Sequence, residues 1–333
     1  MQNYSKKVTR NDVAKLAGTS SAVVSYVINN GPKPVSEKTR KKVLEAIKLT
    51  GYQPNNIARA LVSGKSRCLG LIIPNISNPF IASLAHAIEG EAIERGFVIL
   101  LGDSDDRVHK EVDLLKFFLQ RQVDGIIYNA IKDPYLDLLN ASNTPFVLLN
   151  HMANPESGMR VVEINEYQAA YDVVSMMILK GYKKIAIICG PKNMHNTQER
   201  IRGWKDALRA HNLEPLPSLV FYSDYTRKDG YYAALDLIMN VKCDSVFTTN
   251  EMQAFGALRA FSERGIKVPD DIGIATFNAT ELSEYVVPSL AAMLQPVKLV
   301  AQHVINMVLN PDLKGSVYKI PYIIKDGMSL KAH

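Results

Sequence analysis

The residues in this chain best suited to a chemical task are the small polar side chains between positions 9 and 29, in TRNDVAKLAGTSSAVVSYVIN. Thr9 is a favourable helix N-cap, and Gly18 supplies the break that ends a first helix. Ser20 can cap a second helix, whose inward-facing residues are Val24, Val27 and Ile28. Its outward face carries Ser21, Ala22, Ser25, Tyr26 and Asn29. A helix with such a face can enter the major groove of DNA and contact base edges.

Only some contacts of such a helix recognise the DNA base sequence, because contacts with phosphates position the helix on the duplex without specifying bases. The side chains expected at base edges are Ser21, Ala22 and Tyr26. Those expected at phosphates are Ser20, Ser25 and Asn29. The pattern is also typical of a helical hairpin whose polar face is merely solvated, so it needs independent support.

Charge supplies that support. Residues 1 to 66 contain twelve Lys and Arg residues against three acidic residues and carry +9, which leaves −3 for residues 67 to 333. A basic head on a mildly acidic body is typical of a nucleic-acid-binding module attached to another domain.

The segment after the helix pair extends the same pattern. Ser36 opens a third helix, and its apolar residues Val43, Ala46 and Ile47 can close a small three-helix core. Residues 57 to 62, IARALV, are too few to form a stable helix alone, and a linker-like SGKS follows them. We expect this segment to fold on DNA, with Leu61 as a wedge between base steps and Arg59 near the minor groove.

From residue 67 onward, apolar segments alternate with amphipathic helices, as in LGLIIP followed by FIASLAHAIEGEAIERGF. This alternation indicates parallel sheets covered by helices on both faces. The segment exceeds one comfortable α/β core, so we expect two similar lobes. A ligand would bind between them, at the carboxyl ends of the strands.

The sequence offers no catalytic constellation. It has no GxGxxG or GxxxxGK[ST] phosphate loop and no HExxH motif, and its three cysteines lack metal-ligand spacing. We therefore predict no enzyme activity, no cofactor and no metal. With no apolar stretch of transmembrane length and no signal-peptide core, we expect a cytoplasmic protein without membrane contact.

Several sequence blocks, in order, resemble the LacI/GalR (lactose-repressor) family of bacterial transcriptional regulators. The blocks include DVAKLAGTSSAVVSYVIN, TRKKVLEAIKLTGYQPN, the ARAL of the hinge, LGLIIPNISNPF, RIRGWKDAL and PSLAAMLQP. The resemblance implies an N-terminal all-α helix-turn-helix headpiece and an α/β two-lobed core like that of periplasmic binding proteins, with two doubly wound parallel sheets.

The resemblance also implies domain boundaries. Residues 1–53 would form the DNA-binding domain, residues 54–66 the hinge helix and linker, and residues 67–333 the effector-binding and dimerisation core. Within the core, the N-lobe would span about 67–166 and 296–324, and the C-lobe about 167–294 and 325–333.

Two sets of site residues follow from the helix face and the resemblance together. The DNA-binding set is Thr9, Ser20, Ser21, Ala22, Val23, Ser25, Tyr26, Asn29, Asn55, Ala58, Arg59 and Leu61. The effector-binding set is Ser77, Asn78, Phe80, Asn150, Asn196, Arg200, Asn250, Asn278 and Gln295. We expect Phe80 to stack on a ring and Arg200 to carry most polar recognition, because a guanidinium forks two hydrogen bonds onto hydroxyls or a carboxylate.

Two positions depart from the family pattern. Val23 stands where relatives often have threonine, so a methyl group can meet a thymine methyl. Asn278 stands where the family usually has aspartate, and an amide both donates and accepts whereas a carboxylate only accepts. Because Asn150 is also neutral, an anionic effector is considered beside a neutral sugar.

We therefore expect a sequence-specific, homodimeric transcriptional repressor that binds a double-stranded DNA operator. Its effector would be a sugar, a sugar phosphate or another small polar metabolite. One alternative is a cytosolic sugar-type binding protein, although the IARAL hinge has no purpose there. Another is a catabolite-control-type regulator governed by a partner protein. The tail after Ile324 is too short for a tetramerising heptad helix, so we expect a dimer.

Overall fold

A computed structural model of the chain describes residues 8–29, 31, 33–53, 64–131, 135–150, 159–313 and 315–332. The chain divides between Ser66 and Arg67 into two compact units. The first unit is a headpiece of three helices, α1 (Arg10–Ala17), α2 (Ser21–Asn29) and α3 (Glu37–Thr50). The second unit contains all of the described strands.

Local signals set the bounds of the headpiece helices. Thr9 and Asp12 form a capping box at the start of α1, and Gly18 ends that helix in the left-handed region at φ 63°. Ser36 caps α3, and Gly51 ends it, also at φ 63°. The buried core that joins the three helices consists of Val13, Ala14, Ala17, Val24, Val27, Val43 and Ala46, with Ile28 and Ile47 packed against it. The inward face predicted for the second helix is confirmed.

The second unit alternates strands and helices. Its first half contains β1 (Cys68–Ile73), α4 (Pro79–Glu94), β2 (Val98–Asp103), α5 (Val108–Gln120), β3 (Gly125–Asn129), α6 (Leu136–Asn140), β4 (Phe146–Leu149) and β5 (Val161–Glu163). Next come α7 (Glu166–Leu179), β6 (Ile185–Cys189), α8 (His195–Ala210), β7 (Val220–Tyr222), α9 (Arg227–Asn240), β8 (Ser245–Thr248), α10 (Glu251–Glu263) and β9 (Gly273–Thr276). The last elements are α11 (Leu282–Tyr285), β10 (Ala291–Leu294), α12 (Val297–Leu309), β11 (Val317–Lys319) and β12 (Ile323–Lys325).

These strands form two six-stranded sheets of the same design. The first has the order β11-β5-β4-β3-β1-β2 and the second the order β12-β10-β9-β8-β6-β7. The pairs within them are parallel except that of β10 with β12, which is antiparallel. The central strands are buried and mostly apolar, as Ile185–Cys189 shows, because helices cover both faces of each sheet. Two doubly wound lobes are therefore present, as the alternating pattern predicted.

The chain passes between the lobes three times: from β5 to α7, from β10 to α12 and from β11 to β12. The third passage corrects one predicted boundary. Ile323 and Ile324 were expected in the N-lobe, but they pair with Leu294 and Met293 of the second sheet. The first two passages leave from the carboxyl ends of β5 and β10, so the carboxyl edges of the two sheets adjoin.

Candidate DNA-binding and effector-binding sites

On the headpiece, α2 presents the predicted small polar face. Ala22 is exposed, and Ser21, Val23, Ser25 and Tyr26 are half-buried. Ser20 acts as a cap, since its Oγ accepts the backbone N–H of Val23 at 3.3 Å. The side chain of Asn29, like the whole of Asn55, Ala58, Arg59 and Leu61, lies outside the described residues.

Thr9 has a structural task in the headpiece. Its backbone N–H donates to Asp12 Oδ2 at 2.9 Å, and its hydroxyl donates to the same oxygen at 2.6 Å. The hydroxyl also accepts the N–H of Asp12, at 3.4 Å. A hydroxyl held in this way starts α1 at a defined residue, and its predicted DNA contact would be made in addition to the cap.

In the first lobe, a pair of amides lies at the carboxyl end of the sheet. Asn150 follows β4 with φ 67°, in the left-handed region that asparagine tolerates. Its Nδ2 donates to Asn129 Oδ1 at 2.6 Å. Asn129 ends β3 and is 1% exposed, and its own Nδ2 has no hydrogen-bond partner among the described residues. A buried donor left unpaired in this way favours a ligand that brings an acceptor to it.

The loop after β1 supplies the other predicted residues of this lobe. Ser77 is exposed, and its hydroxyl donates to Asn75 Oδ1 at 2.5 Å. Asn78 caps α4 by accepting the N–H of Phe80 at 3.0 Å, which leaves its NH₂ group for other partners. Phe80 was expected to stack on a ligand. Its ring is instead part of the hydrophobic core and 6% exposed, because the second position of α4 faces inward.

The second lobe is organised around a buried ion pair. Arg200 lies in α8 and is 3% exposed, and its Nε donates to Glu166 Oε2 at 2.6 Å. Glu166 is the first residue of α7, directly after the first passage between the lobes, and is 5% exposed. Burial disfavours the guanidinium charge, but the charge and hydrogen bond of Glu166 outweigh burial, so the net effect raises the pKa of Arg200. Arg200 is therefore charged, and Glu166 balances that charge.

Arg200 also brings the ends of two strands together. Its Nη1 donates to the carbonyl oxygen of Thr249 at 2.6 Å, next to Asn250, which caps α10. Its guanidinium lies 4.0 Å from the ring centroid of Phe277, which precedes Asn278. Three of the predicted residues of this lobe, Arg200, Asn250 and Asn278, are thus grouped at one end of the sheet.

A second amide pair lies at this end. Asn278 has φ 56° and accepts a hydrogen bond from Gln295 Nε2 at 2.6 Å, and Gln295 belongs to the second passage between the lobes. Asn278 follows β9 as Asn150 follows β4, at the corresponding place of the other sheet. Both lobes therefore carry a left-handed asparagine tied to a second amide at the carboxyl end of a central strand.

Tyr225 joins the group of polar side chains in the second lobe and was not among the predicted residues. Its hydroxyl lies 2.9 Å from Thr197 Oγ1 and donates to Asn196 Oδ1 at 3.3 Å. A side chain at Gly190 would place its Cβ 2.2 Å from the Tyr225 ring, so only glycine admits the ring there. Burial raises the pKa of Tyr225, and its hydroxyl remains a donor.

The two carboxyl edges are close enough to interact electrostatically. Desolvation raises the pKa of Asp106, in the loop after β2. The negative charges of its neighbours and of Asp224, in the second lobe, raise the pKa further, while a hydrogen bond from Asn75 lowers it. The negative charge of Asp224 in the second lobe therefore acts on Asp106 in the first.

Sequence reasoning missed Asn129, Glu166 and Tyr225. Asn129 carries one usable signal, since a polar residue that ends an apolar strand of a parallel sheet lies at the binding edge. Glu166 and Tyr225 carry none, because their partners lie far away in the chain. Within the described ranges, no helix is long and apolar enough to cross a membrane, and no group of three or more His, Cys, Asp or Glu residues is placed to hold a metal.

A basic helix-turn-helix unit followed by a two-lobed core with a polar cleft defines the class of ligand-responsive DNA-binding regulators. Two family models match the chain: "Bacterial regulatory proteins, lacI family" over residues 9–55, and "Periplasmic binding protein-like domain" over residues 174–313. Catabolite control protein A of Priestia megaterium is 36% identical over 97% of this chain and 99% of its own length. The chain therefore belongs to the LacI family of bacterial transcriptional regulators and is not an enzyme.

Solved structures agree with this fold. The Lac repressor dimer bound to operator and the anti-inducer ONPF matches with a TM-score of 0.87 and 23% identity, over 98% of this chain and 100% of that one. The complex of the transcriptional regulator CelR with cellobiose matches with a TM-score of 0.73 and 25% identity, over 97% and 99%. The headpiece and two-lobed core predicted from the sequence are confirmed.

Proposed function

We propose that the chain represses transcription as a homodimer and that a neutral, polyhydroxylated small molecule in the cleft controls its affinity for the operator. The Arg200–Glu166 ion pair is the observation that supports a neutral ligand. The one buried cation placed among the predicted effector residues is matched, within the described part of the chain, by a carboxylate 2.6 Å away. No net positive charge is left there to attract an anion.

An anionic effector would meet unfavourable groups in this cleft. It would approach the Glu166 carboxylate, and Asp106 and Asp224 carry further negative charge in the loops after β2 and β7. Moving an unpaired charge out of water into a protein costs roughly several kcal/mol. This favours a neutral sugar over the sugar phosphate and the organic acid considered from the sequence.

The amide pairs argue for a ligand rich in hydroxyl groups. In the first lobe, the Asn150–Asn129 bond leaves Asn129 Nδ2 as a donor. In the second lobe, the Asn278–Gln295 bond uses one acceptor and one donor and leaves Asn278 Nδ2 and Gln295 Oε1 for a ligand. A hydroxyl both donates and accepts, so neighbouring hydroxyls complement such a pair. The similarity to the CelR–cellobiose complex supports the same ligand class.

For DNA recognition, we propose that α2 enters the major groove of the operator. Ser21, Ala22 and Tyr26 would contact base edges, while Ser20 and Ser25 would hold phosphates. The basic headpiece should make binding fall steeply with salt. A selected-site experiment should return a near-palindromic motif, and a motif without two-fold symmetry would contradict the dimeric model.

A surface on the second lobe fits self-association. The α11 patch, which we define as Leu282, Tyr285 and Val287, is 41%, 80% and 94% exposed. Apolar side chains exposed together in this way are typical of a protein interface. Because relatives of this family are dimers, we propose a second copy of the chain as the partner.

A second candidate function is favoured by one comparison. Catabolite control protein A is similar over nearly the whole chain, which keeps open a catabolite-control-type regulator governed by a partner protein. The two candidates differ in what the purified chain can do alone. In the first, a small molecule changes operator affinity without another protein, and in the second it does not.

The test is a thermal-shift screen of the full chain with neutral sugars, sugar phosphates, organic acids and nucleobases. Each hit is then added to an operator-binding titration followed by fluorescence anisotropy. We expect neutral sugars to give the hits. Asn278→Asp sharpens the test, since Asp keeps the acceptor for Gln295 and adds a negative charge. A neutral sugar should tolerate this change, because a hydroxyl that accepted from Asn278 Nδ2 can donate to the carboxylate instead. A sugar phosphate or organic acid that proves to be a hit should bind markedly less tightly to Asn278→Asp, and such a result would contradict the neutral ligand class.

A further inference from the structure

Glu251 is a buried carboxylate that neither the DNA-binding nor the effector-binding set uses. It is the first residue of α10, beside Asn250, and is 2% exposed. Its Oε1 accepts the backbone N–H of Thr280 at 2.8 Å. The Thr280 hydroxyl lies 3.1 Å from Oε1 and 2.9 Å from Oε2. One carboxylate thus holds both the backbone and the side chain of a single threonine.

Thr280 is the residue on which the following loop is built. Its Oγ1 accepts the N–H of Leu282 at 3.3 Å, and its carbonyl oxygen accepts the hydroxyl of Ser283 at 2.8 Å. These bonds begin the single turn of α11, which carries two of the three residues of the α11 patch. Four residues cannot form a stable helix alone, so this turn depends on its attachment to the lobe.

We propose that Glu251 is a positioning residue for self-association: by holding Thr280, it fixes the loop that presents the α11 patch to a second copy of the chain. The proposal rests on the proposed dimer surface. Its physical basis is the cost of ordering a loop on association, which a pre-ordered loop avoids. Loss of the clamp should therefore weaken dimerisation even though Glu251 touches no partner.

The same loop begins at Asn278, two residues before Thr280, and Asn278 is bonded to Gln295 in the second passage between the lobes. The segment from Asn278 to Val287 is thereby held at Gln295 and at α10. It is also tied to β10, where Met293 O accepts the N–H of Ala279 at 3.1 Å, and to β12 through the Glu284–Lys325 ion pair. Burial raises the pKa of Glu251, while the bonds from Thr280 lower it, in keeping with a carboxylate enclosed by donors.

The experiment measures self-association of the full chain by sedimentation equilibrium. Glu251→Gln removes one acceptor, and Thr280→Val removes the hydroxyl while keeping the shape of the side chain. We expect each change to raise the dimer dissociation constant about tenfold, the scale of a lost hydrogen bond to a charged group. Thr280→Ser keeps the hydroxyl and should stay within about twofold of the wild type.

Two controls separate positioning from general destabilisation. Glu263→Gln alters an exposed acid on the same helix and should leave dimerisation unchanged. Hydrogen exchange should show faster exchange of the Thr280 amide in Glu251→Gln, and thermal melting should show that each variant folds. Wild-type dimerisation in Glu251→Gln and Thr280→Val, despite the faster exchange, would overturn the proposal.

Tyr285→Ser tests the underlying surface. Weaker dimerisation in Tyr285→Ser together with the expected results at Glu251 and Thr280 supports the whole scheme. If Tyr285→Ser weakens dimerisation and Glu251→Gln does not, the clamp is wrong and the dimer surface stands. If Tyr285→Ser also dimerises like the wild type, the surface itself is wrong, and the clamp proposal falls with it.

Discussion

Arg200 and Glu166 form the most buried ion pair found in the described part of the chain, with Nε and Oε2 2.6 Å apart and both side chains at most 5% exposed. Their residues lie 34 positions apart, on α8 and at the first passage between the lobes. The pair therefore ties the predicted effector-binding residues of the second lobe to a segment that both lobes share. We predict that a ligand contacting either residue also acts on the first passage between the lobes.

This arrangement changes what Arg200→Ala tests. The change leaves Glu166 buried without its partner, which should lower the free energy of unfolding by about 3–5 kcal/mol. Glu166→Gln should be similarly harmful. In a separate cycle, the double variant Arg200→Met with Glu166→Leu should cost clearly less than the sum of Arg200→Met alone and Glu166→Leu alone. Urea unfolding of the single and double variants gives the coupling, and additive effects would show that the two groups do not interact.

Arg200→Lys is the better probe of ligand recognition. Lysine preserves the positive charge beside Glu166 but loses the planar fork of donors. We expect the chain to remain folded and to bind operator, while its response to any confirmed sugar hit falls by about tenfold or more, because charged hydrogen bonds of this kind are worth about 1.5–3 kcal/mol. An operator-binding titration with that hit measures the response, and an undiminished response would place the ligand elsewhere.

The two-lobed fold could be predicted from the sequence because apolar strand segments and amphipathic helices alternate regularly from residue 67 onward. The inward face of α2 was equally clear, since Val24 and Val27 recur at helical spacing. Contacts between distant segments could not be predicted. The burial of Phe80 depends on how α4 packs, and the neutralisation of Arg200 depends on Glu166, which the sequence marks only as the end of one lobe.

Packing of α7 against α8 gives a prediction with an internal control. A Cβ at Gly203 would lie 2.3 Å from the backbone oxygen of Tyr167 and 2.9 Å from the backbone N of Tyr171, so the helices must move apart. Gly203→Ala should lower the free energy of unfolding by about 1–3 kcal/mol. Gly90 lies inside α4 with open space around its added Cβ, so Gly90→Ala should raise it by up to about 1 kcal/mol. Chemical unfolding measures both, and equal effects would contradict the packing described for α7 and α8.

The hinge predicted at Ile57 to Leu61 lies outside the described residues and is open to a direct test. If Leu61 inserts between base steps, it offsets the cost of unstacking with contacts that only kinked DNA offers. Leu61→Ala should then reduce both operator affinity and DNA bending and leave sugar binding unchanged. Gel-shift bending assays give the bend angle, and an unchanged angle with wild-type affinity would remove Leu61 from the wedge role.

Glu111 gives a prediction for the pH dependence of stability. It is buried in the first lobe, where Oε2 accepts the Tyr128 hydroxyl and Oε1 accepts the N–H of Ile131, both at 2.9 Å. Desolvation raises the pKa of Glu111, and these two hydrogen bonds only partly oppose the effect. The folded state therefore holds the Glu111 proton more tightly than the unfolded chain does, and stability falls as pH rises from the ordinary glutamate pKa through the raised one.

Glu111→Gln removes that pH dependence and reverses one of the two hydrogen bonds. The Gln oxygen can accept from Ile131, while its NH₂ group would donate to the Tyr128 hydroxyl, which loses the acceptor for its own hydrogen. We expect the free energy of unfolding of the variant, relative to the wild type, to increase as pH rises from the ordinary glutamate pKa to the raised pKa of Glu111. Above that pH the difference should level off. The variant should thus gain most at neutral pH and least near pH 4, below the ordinary glutamate pKa of about 4.3. Urea titrations between these limits measure the difference, and a difference independent of pH would show that Glu111 is ionised at no cost.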